Sequence, residues 1–334
     1  MIGTFFSNIA MAISSSFAII FVARALSGIF QFGVWPALLK IMTEYISDHY
    51  RRKFMYIMPL GIPAGTILSL LIASVVLDVG KWQDLFTISY LLLVAISVLF
   101  FIAVYYSGKK SVPVTAEHKE KIAPSSTKST KKEPTPWRLI LISGAILMGV
   151  VNFFKGLIMA GVSSWMPTMI MESYNSSPGF SSILTAVAAC SKFAAVFWVI
   201  LLYPKVFRSQ PLAVGMFLLL LLPALIALVF IGKIPLWLAV VLIIFINMFA
   251  NSISQFFNVE IPSVYGIYNK TGMMAGFFNI FACVGTMAAG TVFGYTAENY
   301  GWSSTILLWA ILALLAAVIS FSVIPIWKMF LKKR

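Results

Sequence analysis

Residues 216–230 read MFLLLLLPALIALVF, a run with no charge and no alternation of apolar and polar side chains. A strand of an outer-membrane barrel alternates, because one face meets lipid and the other meets the lumen. This stretch does not alternate. A helix that crosses a bilayer needs about 20 mostly apolar residues, and comparable runs recur to the end of the chain. Of the 334 residues, 60% are hydrophobic and 10% are charged, against about 25% charged in soluble domains. The mean hydropathy is +0.96. Such a chain has too few polar groups to cover a surface that faces water on all sides. A soluble enzyme and a disordered protein are excluded, and an all-α polytopic membrane protein is predicted.

The pattern gives ten apolar segments: 1–14, 17–45, 54–77, 85–106, 137–171, 181–203, 211–231, 235–258, 271–296 and 302–327. Residues 107–136 stand apart. They hold seven Lys and three Glu, are rich in Ser, Thr and Pro, and lack apolar periodicity, which reads as a solvated linker. The expected organisation is an N-terminal bundle of four spans (1–106), the basic linker (107–136) and a C-terminal bundle of six spans (137–334). Alternate loops carry eighteen cations, among them Arg51, Arg52, Lys53 and the linker lysines, whereas the opposite loops carry only Lys81 and Lys233. By the positive-inside rule this places the linker and both termini in the cytoplasm of a cell whose inner or plasma membrane holds the chain. The net charge of +14 is therefore a topology signal. Contact of the linker with anionic lipid is compatible with it, and nucleic acid is not an expected partner.

The halves echo one another. Arg51–Lys53 leads into a segment with Gly61 and Gly65, followed by a turn containing Gly80 and Trp82. Lys270 leads into a segment with Gly272, Gly276, Gly285, Gly290 and Gly294, followed by a turn containing Gly301 and Trp302. Parallel repeats of six spans are a transporter plan. Because the closing spans of the two halves match, a four-plus-six arrangement implies that two spans are missing at the N-terminus. The pairs Gly272/Gly276 and Gly290/Gly294 have GxxxG spacing and read as close helix packing. Cys190 and Cys283 lie in apolar segments and read as small packing residues. Asn175-Ser176-Ser177 forms a glycosylation sequon in an external loop.

The segment ARALSGIFQFGVWPALLKIMTEYISDHYRRK (23–53) carries Arg24, Gly28, Gln31, Gly33, Trp35 and Pro36. It resembles the fourth-span signature of the organophosphate:phosphate antiporter branch, and of its anion:cation symporter relatives, in the major facilitator superfamily. NFFKGLIMAGVSSWMPTMIMESYN (152–175), with Trp165, Pro167 and Thr168, is similar to the seventh span of bacterial members. VEIPSVYGIYNKTGMMAGFFN (259–279) is similar to the entry to the eleventh span. The resemblance covers nearly the whole chain and implies a major facilitator fold with ten of the usual twelve transmembrane helices. It departs from the branch at the first two spans and at Ile158 and Met159, where the branch carries a seventh-span arginine. Lys155 lies one turn before that position.

Four cations fall inside apolar segments: Arg24, Lys40, Lys155 and Lys192. Each is costly in hydrocarbon, so each is expected to face protein or a water-filled cavity. Lys40 is close enough to a span end to snorkel. Lys155 and Lys192 are near mid-span, the former in a segment expected to break around Gly156, Gly161 and Pro167. No acidic residue lies at their depth; Glu44, Glu172 and Glu260 are near span ends. Cations without buried counter-ions suit an anionic solute. Asn247, Asn251, Ser254 and Asn258 fall on one helical face by their spacing, where they either line a pathway or bridge helices.

The expected substrate-binding residues are thus Lys155, Lys192, Asn247 and Asn251. The resemblance assigns Arg24 and Gln31 to gating or coupling, and Glu260 is placed at the cytoplasmic mouth. His49 and His118 have no metal-ligand partners at useful spacing, and no nucleophile–base pair or phosphate loop occurs, so no enzyme activity, metal or cofactor is expected. The expected function is secondary transport of a small anionic solute by alternating access, driven by a coupling ion or counter-solute, in a monomer. A transporter-like membrane sensor and an inactive N-terminally truncated product are the alternatives.

Overall fold

The computed structural model describes residues 2–32, 57–108, 135–207, 209–268 and 270–332. Among these residues all regular structure is helical. Gly33, Trp35, Pro36, Lys40, the Arg51–Lys53 cluster and nearly all of the basic linker lie outside the described residues.

The chain divides into two compact units, Met1–Ile62 with Ile72–Thr130, and Pro63–Leu71 with Lys131–Arg334. In the first unit, α1 (Ile2–Ile13) packs on α2 (Phe17–Phe32) and on α4 (Trp82–Gly108). Helix α3 (Gly61–Val79) is shared, its Pro63–Leu71 stretch grouping with the second unit. Asp84 starts α4 by accepting a 2.8 Å hydrogen bond from the Lys81 backbone N–H, which satisfies one of the free donors of a helix N-terminus.

The second unit contains α5 (Pro136–Ile142), α6 (Ala145–Tyr174), α7 (Pro178–Val206), α8 (Gln210–Leu228), α9 (Leu236–Gln255), the single turn α10 (Ile261–Ser263) and α11 (Thr271–Lys332). Six of the described helical stretches are long and apolar enough to cross a membrane. Helix α6 packs chiefly on α11, α7 on α9, and α8 on both α9 and α11. The core between them includes Phe217, Phe256, Phe278, Phe293, Trp309 and Trp327. The outer surface is equally apolar: Met287 is 78% exposed and Trp237 67%. In water such a surface would associate; against hydrocarbon it costs nothing.

Two left-handed glycines set the helix boundaries. Gly144 (φ 72°) separates α5 from α6 inside what the sequence shows as one apolar segment, and Gly301 (φ 77°) divides α11 into two helices at the expected external turn. Its counterpart in the sequence, Gly80, is extended (φ −124°), so the two Gly/Trp turns differ in backbone geometry. Helix α6 is not broken as its glycines and Pro167 suggest: it runs unbroken from Ala145 to Tyr174.

Those glycines instead permit a close crossing. A Cβ on Gly156 would lie 2.5 Å from the Ala282 carbonyl oxygen, and one on Gly285 would overlap the Phe153 carbonyl oxygen. The backbones of α6 and α11 are therefore almost in contact. Of the GxxxG glycines, only Gly294 packs closely: a methyl group there would come 3.1 Å from the Trp165 ring, whereas on Gly272, Gly276 or Gly290 it would meet nothing within 4 Å among the described residues. Spacing alone does not say which face of a helix meets a neighbour. Cys190 and Cys283, expected as packing residues, are exposed.

Polar side chains secure the ends of the unit. The Trp302 indole N–H donates to Glu172 (2.7 Å), the Trp327 indole N–H to the Gln210 side chain (2.9 Å), and the Tyr265 hydroxyl to Ser143 (2.7 Å). Each joins residues distant in the chain, and each removes a polar atom from apolar surroundings.

Candidate functional site

Helices α6, α7 and α9 bring polar side chains together inside the second unit. Thr185 and Lys192 are seven residues apart on α7, hence on one face. Asn247 lies on α9 and Ser163 on α6. These four line a common cleft with Met166 and Ala189, and Thr66 and Leu70 of the Pro63–Leu71 stretch close it. The space is small, about 10 Å³, which admits about one water molecule. The Lys192 ammonium donates a long 3.4 Å hydrogen bond to Ser163 Oγ. The Thr185 hydroxyl donates to the Ser181 carbonyl (2.8 Å), and the Asn247 amide to the Ile243 carbonyl (3.1 Å).

Lys155 occupies a different place. It is buried, 8% exposed, and does not line the cleft. Its ammonium donates to Ser254 Oγ (3.1 Å), which bridges α6 and α9, and the Ser254 hydroxyl reaches Met159 Sδ (3.5 Å). One turn before it, Asn152 donates to the Phe278 carbonyl (2.8 Å), while its Oδ1 and the Gln255 Oε1 are buried without partners among the described residues. Neither Lys155 nor Lys192 meets a carboxylate among the described residues; each has a serine hydroxyl.

The amide row is partly realised. Asn251 donates to the Asn247 carbonyl (2.8 Å), and Asn247 and Ser254 are buried. Asn258 is exposed, because Phe256–Glu260 forms a π-helical turn. The wider turn changes the angular step between residues and rotates the later side chains out of the α-helical register. Glu260 ends that turn, half-buried. Arg24 and Gln31 are on α2 in the first unit, both exposed, with the Gln31 amide donating to Ser27 Oγ (3.1 Å). Ser163 and Thr185 line the cleft and are residues that sequence reasoning does not select. The available signal is a hydroxyl one heptad from a mid-span lysine, on the same helical face.

The Lys155 bridge makes a stability prediction. Ser254→Ala leaves a buried ammonium without its described partner and is expected to lower stability by about 1–3 kcal/mol. Lys155→Met strands no buried acid and is expected to be neutral or stabilising. Thermal unfolding of the purified variants checks the order; a larger loss for Lys155→Met would contradict it.

The helices and the apolar exterior define a multi-pass membrane protein whose second unit holds a small cleft with Lys192 in its wall. Residues 1–272 match the family model described as Major Facilitator Superfamily. The chain belongs to the major facilitator superfamily, and its class is that of the membrane transporters. Among solved structures it is similar to a bacterial homolog of the human lysosomal transporter Spinster, crystallised in an inward-facing and occupied conformation. The two share 16% sequence identity with a TM-score of 0.64, over 96% of this chain and 81% of that one. At this identity the likeness is one of fold. No curated protein matches the chain.

Proposed function

We propose that the chain is a secondary transporter that carries a small organic anion across the cytoplasmic membrane by alternating access, as one subunit. The observation that carries this reading is Lys192, a mid-span ammonium in a largely apolar cleft whose described partner is a neutral hydroxyl. A cation in low dielectric is stabilised by an opposite charge, and a solute that brings one is bound where the protein supplies none. Lys192 and Asn247 are assigned to solute contact. Lys155 and Asn251 are assigned to the polar continuation of the pathway along α6 and α9 beyond the cleft. Arg24, Gln31 and Glu260 are assigned to gating, and the π-helical turn that ends at Glu260 supports a point of bending there. A coupling ion or counter-solute supplies the energy. The ten-span, four-plus-six arrangement with a linker at 107–136 completes the reading, and the Arg24, Gly28 and Gln31 motif supports a place in the anion-handling branch.

The test is counterflow in proteoliposomes with radiolabelled small organic acids, neutral polyols and organic cations. Saturable accumulation of acids is expected; preferential movement of neutral or cationic solutes would overturn the assignment.

The proposed topology has a separate test. In a Cys190→Ala, Cys283→Ala background, Ser125→Cys is expected to resist a membrane-impermeant maleimide in intact cells and to react after lysis. Labelling of intact cells would reverse the orientation.

A further inference from the structure

We infer that the exposed face of α2 carrying Arg24, Gly28 and Gln31 is a docking surface for a partner membrane-spanning helix, one that brings a carboxylate to the depth of Arg24. This concerns the first unit and is independent of the cleft around Lys192. The gating role assigned to Arg24 and Gln31 is then exerted on the docked helix.

The first argument is that Arg24 is an uncompensated charge. Helix α2 packs on α1, and Ala23 and Ser27 are its buried residues. Arg24, Gly28 and Gln31 follow one another at steps of four and three, on a neighbouring face, and all three are exposed. The guanidinium has no hydrogen bond, ion pair or ring contact among the described residues. The same side of the helix exposes Phe17 (81%) and Phe21 (65%). Arg24 lies about 10 Å along the axis from the start of α2 at Phe17. An arginine at such a depth is strongly unfavourable unless protein or water meets it.

The second argument is shape. One turn beyond Arg24, a methyl group on Gly28 would meet nothing within 4 Å among the described residues. A glycine notch on an exposed apolar face lets a second helix backbone approach closely. The Gln31 amide donates to Ser27 Oγ (3.1 Å), and its carbonyl and second N–H stay available to a neighbour. Cation, notch and amide lie in line over about two helical turns, which suits a helix better than a small ion.

The third argument fixes the source of the carboxylate. All ten Asp and Glu residues of the chain fall in turns, in the linker or at the ends of apolar segments. A second copy docked through the same face would set Arg24 against Arg24, and it offers no acid at that depth. The complementary charge therefore belongs to a helix that these 334 residues do not contain.

The test uses the full chain in phosphatidylcholine liposomes, with Ser15→Cys in a Cys190→Ala, Cys283→Ala background carrying a donor dye beside α2; Ser15 is exposed. Energy transfer is titrated with acceptor-labelled, leucine-rich spanning peptides that differ at one position two turns inside one end: Glu, Gln or Lys. The Glu peptide is expected to associate roughly tenfold more tightly than the Gln peptide, the size of a good interhelical hydrogen bond in a membrane, and the Lys peptide not at all. Arg24→Leu should bring the Glu peptide to the Gln level, and Arg24→Lys should keep most of the preference. Gly28→Leu should weaken the Glu and Gln peptides alike. Loss of folding would lower every peptide together and would not produce this pattern. Equal association of the Glu and Gln peptides, or a Glu preference that survives Arg24→Leu, would overturn the inference. Without a Glu preference, energy transfer between two labelled copies of the chain that Arg24→Leu removes would give the face to a second copy. Likewise, thermal stabilisation by added phosphatidylglycerol that Arg24→Leu removes would give Arg24 to a lipid headgroup. Either result overturns the inference, and neither bears on Lys192.

Discussion

Gly285→Leu is expected to prevent the second unit from assembling. The Cβ of any other residue at this position would overlap the Phe153 carbonyl oxygen and come within 2.9 Å of the Leu157 backbone nitrogen. Backbone atoms of a continuous helix cannot rotate away as a side chain can, so α6 and α11 must separate. Overpacking in a well-packed core costs about 1–3 kcal/mol and occasionally more. Here the clash is with backbone, and the crossing holds together the most extensively packed helix pair in the unit, so a loss of at least about 3 kcal/mol is expected. Gly156→Val attacks the same crossing from the other side, against the Ala282 backbone. Gly276→Ala is the control. It has open space around it, and alanine favours a helix over glycine by about 1 kcal/mol, so its effect should be neutral or stabilising. Thermal unfolding and monodispersity in detergent read out all three. If Gly285→Leu behaves like Gly276→Ala, the two backbones do not meet at Gly285.

Lys192→Met is expected to produce the largest loss of solute affinity. The ammonium is the sole charge lining the cleft among the described residues, and a charged hydrogen bond contributes about 1.5–3 kcal/mol. Binding of an organic anion should therefore weaken by roughly ten- to a hundredfold. Methionine preserves the aliphatic length, so the change removes charge more than volume. Lys81→Met tests the bulk charge of the protein: that side chain is exposed in a turn, and its loss should leave affinity within a factor of about two. Equilibrium binding to the purified variants decides the matter. Equal affinity for the unaltered chain and both variants, each folded, would show that Lys192 is structural.

The two predictions differ in how far they can be read from the chain itself. Lys192 stands out as a candidate in the sequence because a cation in an apolar run is an energetic anomaly that composition alone exposes. The separation of Lys192 from Lys155 is not visible there. Both fall inside apolar runs, both lack a nearby acid, and both are on helices adjacent in sequence; packing pairs Lys192 with Ser163 at the cleft and Lys155 with Ser254, about two turns away along α6 and α9. Ser163 and Thr185 escape notice for the same reason, since a hydroxyl in an apolar helix bonds to its own backbone as readily as it lines a site.

The amino-acid order alone dictates the class of structure and the layout of its helices. Long apolar runs in a chain with few charges have no stable alternative to spanning helices, because backbone polar groups in hydrocarbon must be satisfied within the segment. The boundaries at α7, α8, α9 and the Gly301 turn arise from punctuation by Pro, Gly and polar residues, which act locally. Packing settles everything that depends on which face of a helix meets which neighbour. Gly156 and Gly285 form the crossing, whereas the GxxxG pair Gly272/Gly276 does not, and the π-helical turn at Phe256–Glu260 carries Asn258 out of the amide row. In a uniformly apolar helix the hydrophobic pattern carries little rotational information, since lipid and protein core accept the same side chains. The rotation of each helix is then set by shape, through close backbone contact and a few buried hydrogen bonds, and shape exists only once the helices have packed.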